Sequence, residues 1–282
     1  MQDRENRLRE RRDIMDERLK IVKGFYDEVE EDTRLERSRH GQLEFATTME
    51  YIHRYAKPGA KLIELGAATG RYSVALAKEG YDVTAVELVE KNLEVLRRKK
   101  ALLPEETVRL QAVQGDATDL SAFADGAFDV TLSFGPMYHL YESADVRRTI
   151  RETIRVTKAG GIMMFAFLSV YAILFDNYLK ETLHLGMEEN FDEEYRTKHY
   201  AEQLFTGYDI VEFEDLFRDE PVEHLATAAV DTVLELAEDR TDFSMTDEQF
   251  KEFLRYHLAT CEKRELLGAS SHLLYICKKV GK

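Results

Sequence analysis

Two acids and two glycines, Glu64, Gly66, Gly70 and Glu87, stand at spacings that imply chemistry, within the stretch KLIELGAATGRYSVALAKEGYDVTAVEL from Lys61 to Leu88. Glycine at 66 and 70 lets the main chain take positive φ and lets a ligand approach it closely. A helix opening after Gly70 would aim its free N–H groups at the bound group. Glu87 lies about 20 residues beyond the turn, where a carboxylate at a strand tip can accept both hydroxyls of an adenosine ribose. Together these residues predict an adenosine-containing ligand.

That geometry requires strand, turn, helix and strand in order. Lys61 to Leu65 is short and apolar, as a strand buried on both faces should be, with Glu64 near its carboxyl end. Val74, Ala75 and Ala77 follow on a helix that Gly80 can stop, and Tyr81 to Val86 reads as the next strand. Glycine spacing then narrows the ligand. A dinucleotide fingerprint would need glycine at 66, 68 and 71, and the chain has Gly66, Ala68 and Arg71. A triphosphate loop ends in Gly-Lys-Ser/Thr, whereas Gly70 is followed by Arg71 and Tyr72.

Read as acid-x-Gly-x-Ala-x-Gly, Glu64 to Gly70 resembles the first motif of class I S-adenosylmethionine-dependent methyltransferases, with Ala68 replacing the usual middle glycine. Further landmarks extend the resemblance. A strand-like Val108 to Val113 leads to Gln114-Gly115-Asp116-Ala117, and Phe128 to Phe134 opens into Gly135-Pro136-Met137-Tyr138-His139-Leu140, similar to the Gly-Pro-x-Tyr-His-Leu loop of small-molecule members. Arg147 to Thr157 reads as a helix, Lys158-Ala159-Gly160-Gly161 as its terminating turn, and Ile162 to Val170 as an apolar strand. The likeness runs from residue 58 to 170 and, more loosely, to a final strand from Ser271 to Cys277.

The resemblance implies an α/β fold: a doubly wound, Rossmann-like, mostly parallel seven-stranded sheet with a helical N-terminal lid and helical insertions near the C-terminal end. It implies S-adenosyl-L-methionine as cofactor. Glu64 would lie near the methionine amine, over a turn of Gly66, Ala67, Ala68 and Gly70. Glu87 and Leu88 would serve the ribose, Asp116 and Ala117 the adenine, and Phe134 and Gly135, at the end of the fourth strand, would also bind the cofactor. Tyr26 and Arg34 are candidates to contact the methionine tail or the acceptor. The Ala68 methyl is expected to tighten the turn without blocking it, at some cost in cofactor affinity.

Methyl transfer from a sulfonium is an in-line displacement, so positioning is the main demand. Well-oriented reactants gain on the order of 7 to 11 kcal/mol, and neither a covalent intermediate nor a metal is required. A base is needed only for an acceptor that carries a proton. His139, in the loop after the fourth strand, is the candidate base, and Tyr138 the candidate for orienting the acceptor. The implied activity is methylation of a small molecule, with N-, O- and C-transfer all open. An RNA methyltransferase and a non-catalytic cofactor-binding protein are the alternatives.

Composition bounds these readings. Of the 282 residues, 54 are acidic and 39 basic, a net charge of −15, which disfavours sequence-independent attraction to nucleic acid. Cys261 and Cys277 stand apart with no CxxC, which predicts no structural zinc, no disulfide framework and a cytoplasmic setting. The longest apolar run, around Ile162 to Leu168, is far short of a membrane span. The chain divides into an N-terminal arm and lid over 1–57, a cofactor-binding core over 58–170, and remaining strands with helical cap insertions (171–206, 221–267) over 171–282. Residues 1–20 are dominated by charge and are assigned no chemistry. Tyr208 to Phe213 reads as the sixth strand. Leu225, Val230, Val233, Leu234 and Leu236 read as helix, as does the segment behind Thr246-Asp247-Glu248-Gln249, which resembles a capping sequence. Oligomeric state is open, because lid helices and dimer helices carry similar apolar faces.

Overall fold

The computed structural model describes residues 18–104, 108–200 and 203–281. Arg11-Arg12 and the rest of the arm over 1–17 lie outside the described residues. Helix α1 covers 18–28, and α2 (Arg39–Tyr55) begins at Ser38, whose hydroxyl accepts the Gly41 N–H. The core alternates as expected: β1 (Lys61–Leu65), α3 (Arg71–Lys78), β2 (Asp82–Glu87), α4 (Glu90–Ala101), β3 (Arg109–Gln114), β4 (Phe128–Ser133), α5 (Ser143–Val156) and β5 (Thr157–Ser169). Leu62, Ile63 and Leu65 of β1 are fully buried. A parallel strand covered by helices on both faces has no solvent side to mark with polar residues, hence the unbroken apolar run.

Beyond β5 come α6 (Val170–Ile173), running into a wide turn over Leu174–Tyr178, then α7 (Leu183–Asn190), β6 (Gly207–Tyr208), α8 (Ile210–Asp215), β7 (Val222–Ala229), α9 (Leu234–Glu238), α10 (Asp247–Thr260), α11 (Arg264–Leu267) and β8 (His272–Lys279). The sheet order is β3-β2-β1-β4-β5-β8-β7, with the two-residue β6 pairing beside β5. The strands β1 to β6 pair in parallel, whereas β8 runs antiparallel between β5 and β7. The sheet therefore has one strand more than the seven expected, the addition being β7, in a segment read as helical from sequence.

Two local expectations fail for identifiable reasons. The expected sixth strand, Tyr208 to Phe213, contributes only Tyr208 to the sheet. Asp209 caps the next helix by accepting the N–H groups of Val211 (2.8 Å) and Glu212 (3.3 Å), and N-cap chemistry overrides the apolar pattern. Residues 222–229, expected to be helical, pair with β8 instead, Ala228 opposite Leu274 and Ala229 opposite Leu273. Long-range pairing there outweighs the helical preference of an alanine-rich segment. Further on, the Thr246 capping box forms as its sequence suggests.

The strand order reverses between β1, which leads into β2 on one side, and β4 on the other. In an open α/β sheet the crevice at the carboxyl ends of such strands is where ligands bind.

Candidate active site

Gly66, Ala68 and Gly70 all take positive φ, at 75°, 47° and 83°. A Cβ on Gly66 would lie 3.0 Å from the Gly135 Cα and the Pro136 Cδ, so the turns after β1 and β4 touch through glycine. A Cβ on Gly70 would collide with the Leu96 side chain of α4. Glu87, at the tip of β2, ties this turn to its own strand: one carboxylate oxygen accepts the Ala68 N–H at 2.7 Å, the other the Val89 N–H at 2.8 Å. Burial raises its pKa above the ordinary carboxylate value. Glu64 is buried on β1, accepts the Ser73 hydroxyl, and is pushed up to about 8 by burial. Asp116 follows β3; one oxygen accepts the Thr118 N–H at 2.9 Å and the other pairs with Arg18.

The N-terminal segment covers this turn. Tyr26 on α1 donates its hydroxyl to His139 Nε2 at 3.0 Å, and His139 Nδ1–H donates to the Leu204 carbonyl at 2.9 Å. Those two bonds fix the His139 tautomer, and burial lowers its pKa to about 4. Tyr138 donates its hydroxyl to the Phe134 carbonyl. Arg34 forks onto Glu44 at 2.8 and 2.9 Å and reaches Glu31 at 3.1 Å, and Arg34 in turn holds Glu44 at about 2 against its burial. The guanidinium of Arg34 is thus committed inside the protein.

One hollow is lined by Tyr26, Arg34, Glu64, Gly66, Ala67, Ala68, Glu87, Leu88, Asp116, Ala117, Phe134, Gly135, Tyr138 and His139. Of the residues singled out in the sequence, Gly70 alone is not part of this wall; it acts beneath it, against α4. A second hollow of about 760 Å³ adjoins the first, and Tyr26, Glu31, Arg34, Tyr138 and His272 line both. Phe25, Tyr178, Tyr200 and Phe205 give it aromatic walls, and Asp176 adds a carboxylate.

Arg18 and His272 are among the residues of the site that sequence reasoning did not single out. Arg18 reaches the first hollow from a segment assigned no chemistry. His272, at the start of β8, stands at the seam between the hollows. Its Nδ1 bonds the fully buried Asp231 at 2.6 Å, and Asp231 also accepts the Ser270 hydroxyl at 2.6 Å. Glu44 lies 3.9 Å from the same nitrogen. Although burial opposes the charge, Glu44 and Asp231 raise the His272 pKa to about 9. The sequence signal, had it been weighted, is the polar run Ser270-Ser271-His272 at the head of an apolar strand. Donor atoms of Glu44, Asp231 and His272 lie within 4.8 Å of one another, the only such grouping among the described residues. Arg34 on Glu44 and the Asp231–His272 bond make it an ion-pair network.

The first hollow fits an S-adenosyl ligand on its own chemistry. Glu87 retains lone pairs for a ribose diol after its two backbone bonds, and Glu64, which among the described residues bonds the Ser73 hydroxyl and no cation, suits an ammonium. Arg18 offers a buried Nε–H with no partner among the described residues.

Residues 63–165 match a family model described as a methyltransferase domain. Over 104 residues the chain is 41% identical to a demethylmenaquinone methyltransferase of Clavibacter sepedonicus, covering 36% of this chain and 39% of that protein. The chain spans about half the length of the curated relatives it matches. Among solved structures, a S-adenosylmethionine-dependent methyltransferase from Thermotoga maritima superposes with a TM-score of 0.57 at 16% identity, covering 94% of this chain and all of that one (100%). The geranyl diphosphate C-methyltransferase of Streptomyces coelicolor A3(2), solved with S-adenosyl-L-homocysteine, gives 0.52 at 16% identity over 84% of this chain and 79% of that one. At such identities the structures establish the shared fold.

Proposed function

We propose that this chain, which carries a class I S-adenosylmethionine-dependent methyltransferase core, moves a methyl group from that cofactor to a small-molecule acceptor held in the second hollow. The observation that carries this reading is the seam: two adjoining hollows share Tyr26, Tyr138 and His272 as common walls. The cofactor supplies a methyl on sulfonium that an acceptor lone pair can displace in line. What remains for the protein is to align two molecules and keep water away.

Tyr138, with its hydroxyl tied to Phe134, orients the acceptor through its ring. His139 acts on Tyr26: its Nε2 is occupied and its pKa is low, so it holds the lid closed and is poorly suited to take a proton in this arrangement. For an acceptor that sheds a proton, His272 is the better base, because Asp231 fixes its Nδ1 and its other nitrogen is left to the cavity side. A small-molecule acceptor is supported by the aromatic walls of the second hollow, and the net charge of −15 disfavours nucleic acid. Among the described residues no helix is long and apolar enough to cross a membrane. The free, buried thiols of Cys261 and Cys277 suit a cytoplasmic setting.

Calorimetry with S-adenosylmethionine and S-adenosylhomocysteine tests the donor half. Both should bind, and Glu87→Ala should weaken binding at least tenfold by removing a charge-assisted acceptor. Absence of binding to either ligand would sink the proposal.

A further inference from the structure

We propose that Arg18 is a cofactor-binding residue, which closes the adenine end of the first hollow and donates its Nε–H to a ring nitrogen of the adenine. This rests on the S-adenosyl reading of that hollow. Arg18 is only 6% exposed, yet it sits on a charge-rich helix at the N-terminal side of the described chain, where an arginine ordinarily reaches water. One of its terminal nitrogens pairs with Asp116, the acid that follows β3. Its Nε lies buried with no acceptor among the described residues. A buried charged donor without a partner costs free energy, and the cost disappears if a ligand supplies the acceptor. The ring nitrogens of adenine are acceptors of the required kind, and Asp116 leaves further lone pairs for the amino group beside them.

The helix geometry agrees. Arg18, Val22 and Tyr26 are spaced four apart, so they lie on one face of α1, and all three line the first hollow. Eight residues of helix span about 12 Å. Arg18 therefore meets Asp116 at one end while Tyr26 meets His139 at the other, so a single helix face runs along the hollow from the adenine side to the methyl side. Lys91 secures the far end of α1 by donating to the carbonyls of Tyr26 at 3.0 Å and Asp27 at 2.7 Å. Arg18 and Asp116 need not compete with the cofactor. The ion pair aims the guanidinium edge into the hollow before the ligand arrives, which lowers the ordering cost of binding.

The test is titration calorimetry of S-adenosylhomocysteine against the wild-type chain, Arg18→Ala and Arg18→Lys, with melting of each ligand-free protein as the check on folding. Both variants should bind about tenfold more weakly or worse. Lysine keeps the charge toward Asp116 but has no Nε–H at that position, so it should fail to restore affinity. Tighter binding by Arg18→Ala would show that the arginine blocks the site and would overturn the proposal. Affinities within twofold of wild type for either variant would overturn it equally. If Arg18→Ala does not fold, the Lys variant, which retains the ion pair, decides alone.

Discussion

Replacing Ala68 with glycine separates two consequences of a single methyl group in the cofactor turn. Ala68 holds φ at 47°, in the left-handed region, where an L-residue carries a penalty of about 1–2 kcal/mol. Glycine escapes that penalty but loosens the unfolded chain by roughly 0.4–1 kcal/mol. The difference makes Ala68→Gly stabilising by about 1 kcal/mol, or about 2–4 °C in Tm for a chain near this size. Affinity follows another rule: a ligand is affected only by what differs between the free and bound states. The turn's shape is held by the protein's own bonds, with the Ala68 N–H on Glu87 at 2.7 Å and glycines at φ 75° and 83° on either side. Hence the methyl group's cost falls on folding, and the Kd for S-adenosylhomocysteine should stay within about twofold. This differs from the weakened affinity expected from sequence alone. Melting of the ligand-free protein and calorimetry on the same two samples give both numbers. A tenfold gain in affinity with no change in Tm would refute the reasoning, since the strain would then belong to the bound state.

Three further outcomes depend on titration. Glu64 has a folded pKa of about 8 against an ordinary 4.5, so between these values the folded chain holds a proton that the unfolded chain lacks, and stability falls as pH rises from 4.5 through 8. Glu64→Gln should remove that slope in urea melts at pH 6 and 8.5, and a slope equal to wild type would show that Glu64 is ionised in the folded protein. An ammonium brought beside Glu64 should displace the same proton, so calorimetry near pH 7 in buffers of different ionisation enthalpy should record proton release on S-adenosylhomocysteine binding. His272 has a pKa of about 9, so turnover of an acceptor that sheds a proton should climb with pH toward that value as the neutral imidazole forms. His272→Gln should abolish the climb while leaving S-adenosylhomocysteine binding intact; persistence of the alkaline limb would remove His272 from the role.

How much of this was legible in the sequence follows from where each contact comes from. The donor site is largely contiguous: Glu64 to Gly70 is one turn, Glu87 is the next strand tip, and the Ala68–Glu87 bond spans 19 residues. Glycine spacing and strand-end acids are local signals, so the turn, the strand-tip Glu87 and Asp116 could be read directly. The parallel strands were legible for a related reason, since burial on both faces writes itself as an apolar run. Arg18 was not legible. Its ion pair joins residues 98 apart, and within a stretch of mixed charge nothing distinguishes the arginine that turns inward. His272 and Asp231 are 41 apart and meet only because β8 enters the sheet antiparallel beside β5 and β7. The same pairing turned residues 222–229 from expected helix into strand.

The proposed acceptor side is written in that second, non-local way throughout. Tyr26 comes from α1, Tyr138 from the loop after β4, Asp176 from the turn after α6, Phe205 from the segment before β6, and His272 from β8. No two of these elements are adjacent in sequence, so no short motif could encode the cavity they form. Their arrangement also has a mechanistic consequence. Tyr26 shares one face of α1 with Arg18, so a displacement of that helix would open the adenine end of the first hollow and the seam of the second together. If Arg18 contacts the adenine, cofactor binding stabilises the closed position of α1 and thereby completes the wall that the acceptor meets. Assembly of the acceptor cavity would then be coupled to occupation of the donor site, and by linkage an acceptor that needs the closed wall would tighten the hold on the cofactor by the same factor.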